Sequence, residues 1–243
     1  GGGIVIVPVL YHLFTLLGID ESVRMHAAVG TSLATIIPTS IMSSRAHRKR
    51  GSLDMALIKR LMPSVIVGVI VGSVASRFLS GASLTAVFAS IALLVAINMA
   101  FKRDGFAVAD GLPGTAGTAL LGGGIGGVST LMGIGGGTLS VPILNALRVP
   151  MHTAVGTGAM LGMVISVPGA IAFLVNGLGV PLRPPFSVGY VNLLGMALIV
   201  PMTMLTTGWG AQLAHRTDAR LLRRLFAAFL ALTSLRMFAG LLA

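Results

Sequence analysis

The chain has 243 residues, of which 55% are hydrophobic and only 9% charged, and its mean hydropathy is +0.96; a soluble domain carries about 25% charged residues, so a protein coated in polar groups is excluded. The net charge of +11 is not accompanied by any DNA- or RNA-binding motif, and Lys and Arg gather in the cytoplasmic loops of membrane proteins, so nucleic acid is not an expected partner. With no Cys there is no disulfide, thiolate metal site or Cys nucleophile.

A spanning helix needs about 20 mainly apolar residues. The chain opens on a glycine triplet, Gly1, Gly2 and Gly3, followed by Pro8. It starts inside a motif and not at Met, so a preceding segment is expected. "GIDESVR" (18–24) holds Asp20 and Glu21 and is expected outside the cell. Residues 25–44 form the first full span, with His26 near its start and Thr31 and Ser32 within it. Residues 45–60 are the most basic stretch and read as cytoplasmic. Residues 61–101 read as two helices with a turn near Gly81, Arg77 snorkelling to the interface.

Residues 111–147 are uncharged and contain "GIGGGTLSVPIL" (133–144). Three glycines close to Pro142 weaken a helix, by about 1 kcal/mol for each Gly and about 3 for Pro in an interior. Residues 133–137, including Gly135, Gly136 and Gly137, are therefore expected to be non-helical. A short helix of about 15 Å follows over 138–147, with Pro142 in its first turn. Residues 149–182 carry only His152, beside Thr153 and Thr157; residues 184–214 are uncharged; the last helix runs from about Leu221 and carries Arg236. Tyr190 and Trp209 read as interfacial anchors. The fold class is an all-α polytopic membrane protein, because helices satisfy their own backbone groups in lipid.

The strongest pattern is internal. "GGGIVIVPVL" (1–10) aligns with "GGGTLSVPIL" (135–144), and "MHAAVGTS" (25–32) with "MHTAVGTG" (151–158). Pro63, Gly72, Leu84, Phe88 and Met99 each have a counterpart 138 residues on, at Pro201, Gly210, Leu222, Phe226 and Met237. The chain divides into halves, 1–104 and 112–243, joined by a linker over 105–111; the first half lacks the helix matching Leu120–Ile134. Arg216, Arg220, Arg223 and Arg224 make the 215–224 loop cytoplasmic, and the loop at 177–185 holds a single Arg. That charge distribution favours inverted halves over parallel ones. Duplicated halves with an interrupted helix in corresponding places point to a secondary transporter with its site between them.

The polar residues select the cargo. All six acids (Asp20, Glu21, Asp54, Asp104, Asp110, Asp218) fall in loops, which argues against a cation carrier and against intramembrane aspartyl or zinc proteolysis. No nucleophile–base–acid set is present, so no enzyme, cofactor or resident metal is expected. "GGGIGG" (122–127) matches a dinucleotide fingerprint in form only, with no strand before it and no acid after it until Asp218. Gly68–Gly72, Gly123–Gly127 and Gly158–Gly162 read as close-packing contacts. A helix start leaves N–H groups free and carries partial positive charge, which suits an anion. The candidate substrate-binding set is therefore Gly1, Gly2, Gly3, His26, Thr31, Ser32, Gly135, Gly136, Gly137, His152, Thr153, Thr157 and Arg236.

The paired "GGG-x-x-x-V-P-x-L" blocks, each followed by "AVGT", resemble the sulfite exporter TauE/SafE family of membrane permeases over nearly the whole chain. The resemblance implies movement of sulfite or small organosulfonate anions across the bacterial inner membrane by alternating access. The matching positions are Gly1–Gly3, Pro8, Ala28, Gly30, Thr31 and Ser32, then Gly135–Gly137, Pro142, Ala154, Gly156 and Thr157; Gly158 departs from Ser32. An anion channel lined by the same residues, or a carrier of another small anion, is the alternative. The expected partners are a small anion and the bilayer, with a homodimer left open.

Overall fold

The computed structural model describes residues 2–101, 111–216 and 218–242. Gly1 and the linker over 105–110 lie outside the described residues. The described residues form α1 (Gly3–Leu16), α2 (Glu21–Lys49), α3 (Met55–Phe78), α4 (Gly81–Phe101), α5 (Thr115–Met132), α6 (Gly136–Ala146), α7 (Met151–Asn176), α8 (Leu193–Arg216) and α9 (Ala219–Leu242). Between α7 and α8, β1 (Ser187–Val188) pairs antiparallel with β2 (Val191–Asn192). Five helices are long and apolar enough to cross a membrane: α2, α3, α4, α7 and the Leu221–Leu241 stretch of α9. The expected all-α polytopic architecture is the one observed. Val67, Phe78, Leu94, Leu120, Leu198 and Leu205 are exposed, which costs nothing against lipid tails as apolar as they are.

Helix starts follow local chemistry. Asp20 caps α2 by accepting the Ser22 N–H at 2.9 Å, and Asp54 caps α3 by accepting the Leu57 N–H at 2.9 Å. Asn192, 138 residues beyond Asp54, accepts the Gly195 N–H at 2.7 Å where α8 begins. Each cap satisfies a donor that the first turn leaves unpaired.

Packing brings matching elements together. α2 and α7 run antiparallel along their lengths: Gly30 abuts Phe173 and Tyr190, Gly162 abuts Ser40, and Gly156 abuts the Ser52 carbonyl just past the end of α2. The contacts of Gly30 with Tyr190 and of Gly156 with Ser52 are one contact made twice, with the halves exchanged. α4 packs on its counterpart α9, burying Leu84, Phe88 and Ala92 along with Ala227, Leu230 and Met237. α3 and α5 run parallel, Gly68 against Gly123 and Gly72 against Gly127, their backbones too close to admit a methyl.

The break in the second half is shorter than expected. α5 ends at Gly133, whose φ of +64° caps it in the left-handed region that Gly adopts without strain. Gly135 is extended, and α6 starts at Gly136. The non-helical stretch is thus 133–135 and not 133–137, and Pro142 is the seventh residue of α6, beyond its first turn. Gly136 and Gly137 are helical because α6 lies tight on α7: a Cβ on Gly136 would stand 2.8 Å from the Gly162 nitrogen and from Leu161.

Candidate functional site

Gly3 of the first triplet meets the break that precedes the second. A methyl on Gly3 would stand 2.5 Å from the Gly133 carbonyl oxygen and 2.8 Å from the Ile134 Cα. Gly133 in turn sits against Val29 of α2 and Val7 of α1, and Ile36 lies beside both Gly3 and Gly135. Ser32 Oγ donates to the Gly133 carbonyl at 2.7 Å, across 101 residues of sequence. One of the residues proposed for ligand contact thus holds the break in shape. α6 starts after the extended Gly135 with no side-chain cap, whereas Gly2, ahead of α1, is itself helical in φ and ψ, so among the described residues the expected break is seen in the second half alone. The start of α6 therefore ends in backbone donors and in the positive end of a helix dipole, beside the contact of Gly3 with Gly133. This is a buried contact between the halves, walled by Leu161, Gly162 and Ser40.

Thr31 and Thr157 occupy matching places on α2 and α7, and both are fully buried. Thr31 Oγ1 accepts the Asn192 N–H at 2.8 Å. Thr157 Oγ1 has no hydrogen-bond partner among the described residues. The hydroxyls of Ser129, Ser166 and Ser234, on fully buried residues of α5, α7 and α9, are likewise unpartnered there. Hydroxyls both donate and accept, so these groups can meet a polar ligand or water.

The remaining predicted residues lie elsewhere. Gly2 is exposed. His26 is buried, ten residues before Ile36 on the same helix and so about 15 Å from the meeting point at 1.5 Å per residue. It borders a cavity of about 540 Å³ with Glu21, Ser76, Arg77, Asn176 and Tyr190. Thr153 borders a second cavity of about 790 Å³ with Asp54, Arg60 and Arg148. The first cavity lies at the start of α2 and the second at the start of α7. Because these helices are antiparallel, the two cavities face opposite ends of the molecule. His152 is exposed in the first turn of α7, and Arg236 is exposed on α9, within electrostatic reach of His12 on α1. The symmetric histidine pair in the sequence is therefore unsymmetric in space.

Tyr190 is not the interfacial anchor expected of it. It is buried, its ring stacked on His26 at 4.9 Å between centroids and edge-on to Phe173 at 6.5 Å. The Trp209 side chain lies outside the described residues. Sequence reading also passed over Asn176, whose Nδ2 donates to the Ser73 carbonyl at 3.1 Å, and Asn192. Asn192 could have been found, since the 138-residue offset that pairs Pro63 with Pro201 also pairs Asp54 with it.

The sulfite exporter TauE/SafE family model matches residues 1–237. The chain is 32% identical over 241 residues to a "Probable membrane transporter protein" of Haemophilus influenzae, covering 98% of this chain and 90% of that one. It is 27% identical over 239 residues to a protein of the same description from Methanocaldococcus jannaschii, covering 98% and 87%. A third relative, the probable membrane transporter protein YunE of Bacillus subtilis, is 27% identical over 199 residues, covering 73% and 72%. No solved structure matches the chain.

Proposed function

Because the chain belongs to the sulfite exporter TauE/SafE family, we propose that it carries sulfite or a small organosulfonate across the bacterial inner membrane. It is a multi-pass membrane transporter; the cargo, the membrane and the mechanism are our reading. The observation that carries this reading is the uncapped start of α6 at Gly135–Gly136, buried beside the contact of Gly3 with Gly133. Free backbone donors and a positive dipole end favour an anion, and no acid lies near enough to oppose it: the described acids sit at helix ends or in loops.

The cycle follows from the packing. The halves are read as inverted, supported by the antiparallel α2–α7 pair and the exchanged Gly30 and Gly156 contacts. Rocking one half on the other opens the cavity at the start of α2 or the one at the start of α7 in turn, around a fixed central site. Gly3, Ser32, Gly135, Gly136, Gly137 and Thr157 line that site in this scheme. His26 and Thr153 stand at the two mouths, and the exposed His152 and Arg236 are outside it.

Counterflow in proteoliposomes tests the reading. Labelled sulfite uptake should rise when unlabelled sulfite is loaded on the far side. Uptake without that stimulation makes the protein a channel. If sulfite, sulfoacetate, taurine, thiosulfate and sulfate all fail to shift its thermal unfolding while a cation does, the anion reading is wrong.

A further inference from the structure

His26 is 5% exposed and wedged among α2, α3 and the α7–α8 loop. Its Nε2 stands 3.2 Å from the Ser76 carbonyl oxygen. A carbonyl only accepts, so Nε2 must carry the hydrogen. In the neutral ring Nδ1 is then a bare lone pair, and it is buried with no partner among the described residues. The carbonyl oxygens of Ser22 and Leu79 also face the ring. The ring is thus surrounded by acceptors and offers one more acceptor to them. An unmet acceptor of this kind is destabilising. Adding a proton to Nδ1 turns it into a donor that the carbonyls can satisfy. The stacked Tyr190 ring, 4.9 Å away, presents a π-system that favours a cation.

We infer that His26 is a proton-binding site through which transport is coupled to proton movement, at the end of the molecule opposite the basic 45–60 loop. The inference rests on the transport reading above. The charged and titratable groups around it are few. α2 contributes Glu21, α3 contributes Arg77, and the α7–α8 loop contributes Tyr190, with Arg183 acting on that phenol. α4 brings Gly81 and Ala82 to the cavity, and α7 brings Asn176 and Phe173, none of them titratable. The cavity of about 540 Å³ gives water a path to the ring. A hydronium ion in that path delivers the proton, an N–H bond forms at Nδ1, and release reverses both steps. Protonation links the start of α2 to the end of α3, where Asn176 of α7 also bonds, so one event acts on elements of both halves. His152, the counterpart, is exposed at the opposite end. Among the described residues the enclosed proton site therefore stands in the first half, so the two ends of the molecule meet the proton differently.

Two measurements decide the matter. In nanodiscs, ¹⁵N-histidine spectra recorded between about pH 5 and pH 8, where histidine titrates, should show one reversible titration that disappears in His26→Gln. A His26 that keeps the same protonation state across that range overturns the proposal. A chain keeping His26 as its sole histidine isolates the signal should H26Q not fold. In proteoliposomes with entrapped pyranine, a sulfite gradient should drive proton movement in the wild type. H26Q should lose that movement and gradient-driven accumulation yet keep sulfite counterflow, since Gln can still donate to Ser76. Retained proton movement in H26Q also overturns the proposal. If the wild type moves no sulfite at all, the substrate reading fails, while the spectra still decide the proton site.

Discussion

A methyl group is the smallest probe of how closely these helices approach. Gly68 has no room for one, because the Gly123 backbone already occupies the place, whereas Gly124, one residue on, faces open space. Gly68→Ala should cost about 1–3 kcal/mol as an overpacked contact, read as a lower unfolding temperature in detergent, and Gly124→Ala should leave that temperature unchanged. Ser32→Ala tests a different kind of contact. It removes the hydroxyl that satisfies the Gly133 carbonyl, and a buried polar group left unmet costs about 1–3 kcal/mol. The same variant should slow sulfite counterflow, because the break it steadies carries the proposed site. Asp20 responds to pH. Hydrogen bonds from the Ser22 hydroxyl and N–H, with the Arg24 charge, hold its carboxyl below the usual carboxylate range. A lowered folded value means the contribution is present above the unfolded value of about 3.9 and is lost as pH falls through the folded one. Asp20→Asn can still cap α2 but does not titrate, so it should flatten the acid limb of the stability curve.

At the scale of the element, helix starts separate what the sequence makes legible from what it does not. The expected helices from α2 to α9 all appear with shifted ends, because apolar length and charged loops are properties of the chain alone. The break falls at Gly133 and Gly135, as the glycines predict, but ends two residues sooner than expected. Local propensity says that Gly136 and Gly137 are poor helix formers. α7 packs on them so closely that a Cβ on Gly136 would meet Leu161 and Gly162, and one on Gly158 would meet the Gly137 Cα, and no local pattern reveals that partner. Tyr190 was misread for the same reason: an aromatic ring suits an interface equally well in sequence, and only the fold brings it onto His26. Asp54 and Asn192, by contrast, were written in the duplication. Asp54→Ala should cost about 1 kcal/mol as a lost cap. Asn192→Ala should cost more, because its Nδ2 also donates to the Pro185 carbonyl at 2.8 Å and to Ser187 Oγ at 3.0 Å. Thermal unfolding of the two variants side by side gives the order.

The whole molecule turns on which way its halves face. The likeness of residues 1–10 to residues 135–144 reads as a duplication, but similarity of residues says nothing of orientation. Charge gave one indication, since four Arg near the start of α9 and the basic 45–60 loop fall at non-corresponding turns. Packing gives another: α2 and α7 share a motif yet run antiparallel. If that pair stands across the bilayer as its length suggests, the starts of α2 and α7 lie on opposite faces. Alternation between the two cavities around one central site follows from that arrangement, since each half then supplies one mouth. The absence of native Cys makes the question directly accessible. Ser22→Cys and His152→Cys, both at exposed positions, should react with a membrane-impermeant maleimide from opposite sides of the membrane in oriented vesicles. Arg48→Cys, at the far end of α2, should react from the same side as His152→Cys. If Ser22→Cys and His152→Cys label from one side, the halves are parallel, the two cavities open on the same face, and the alternation between them proposed for this chain is no longer tenable.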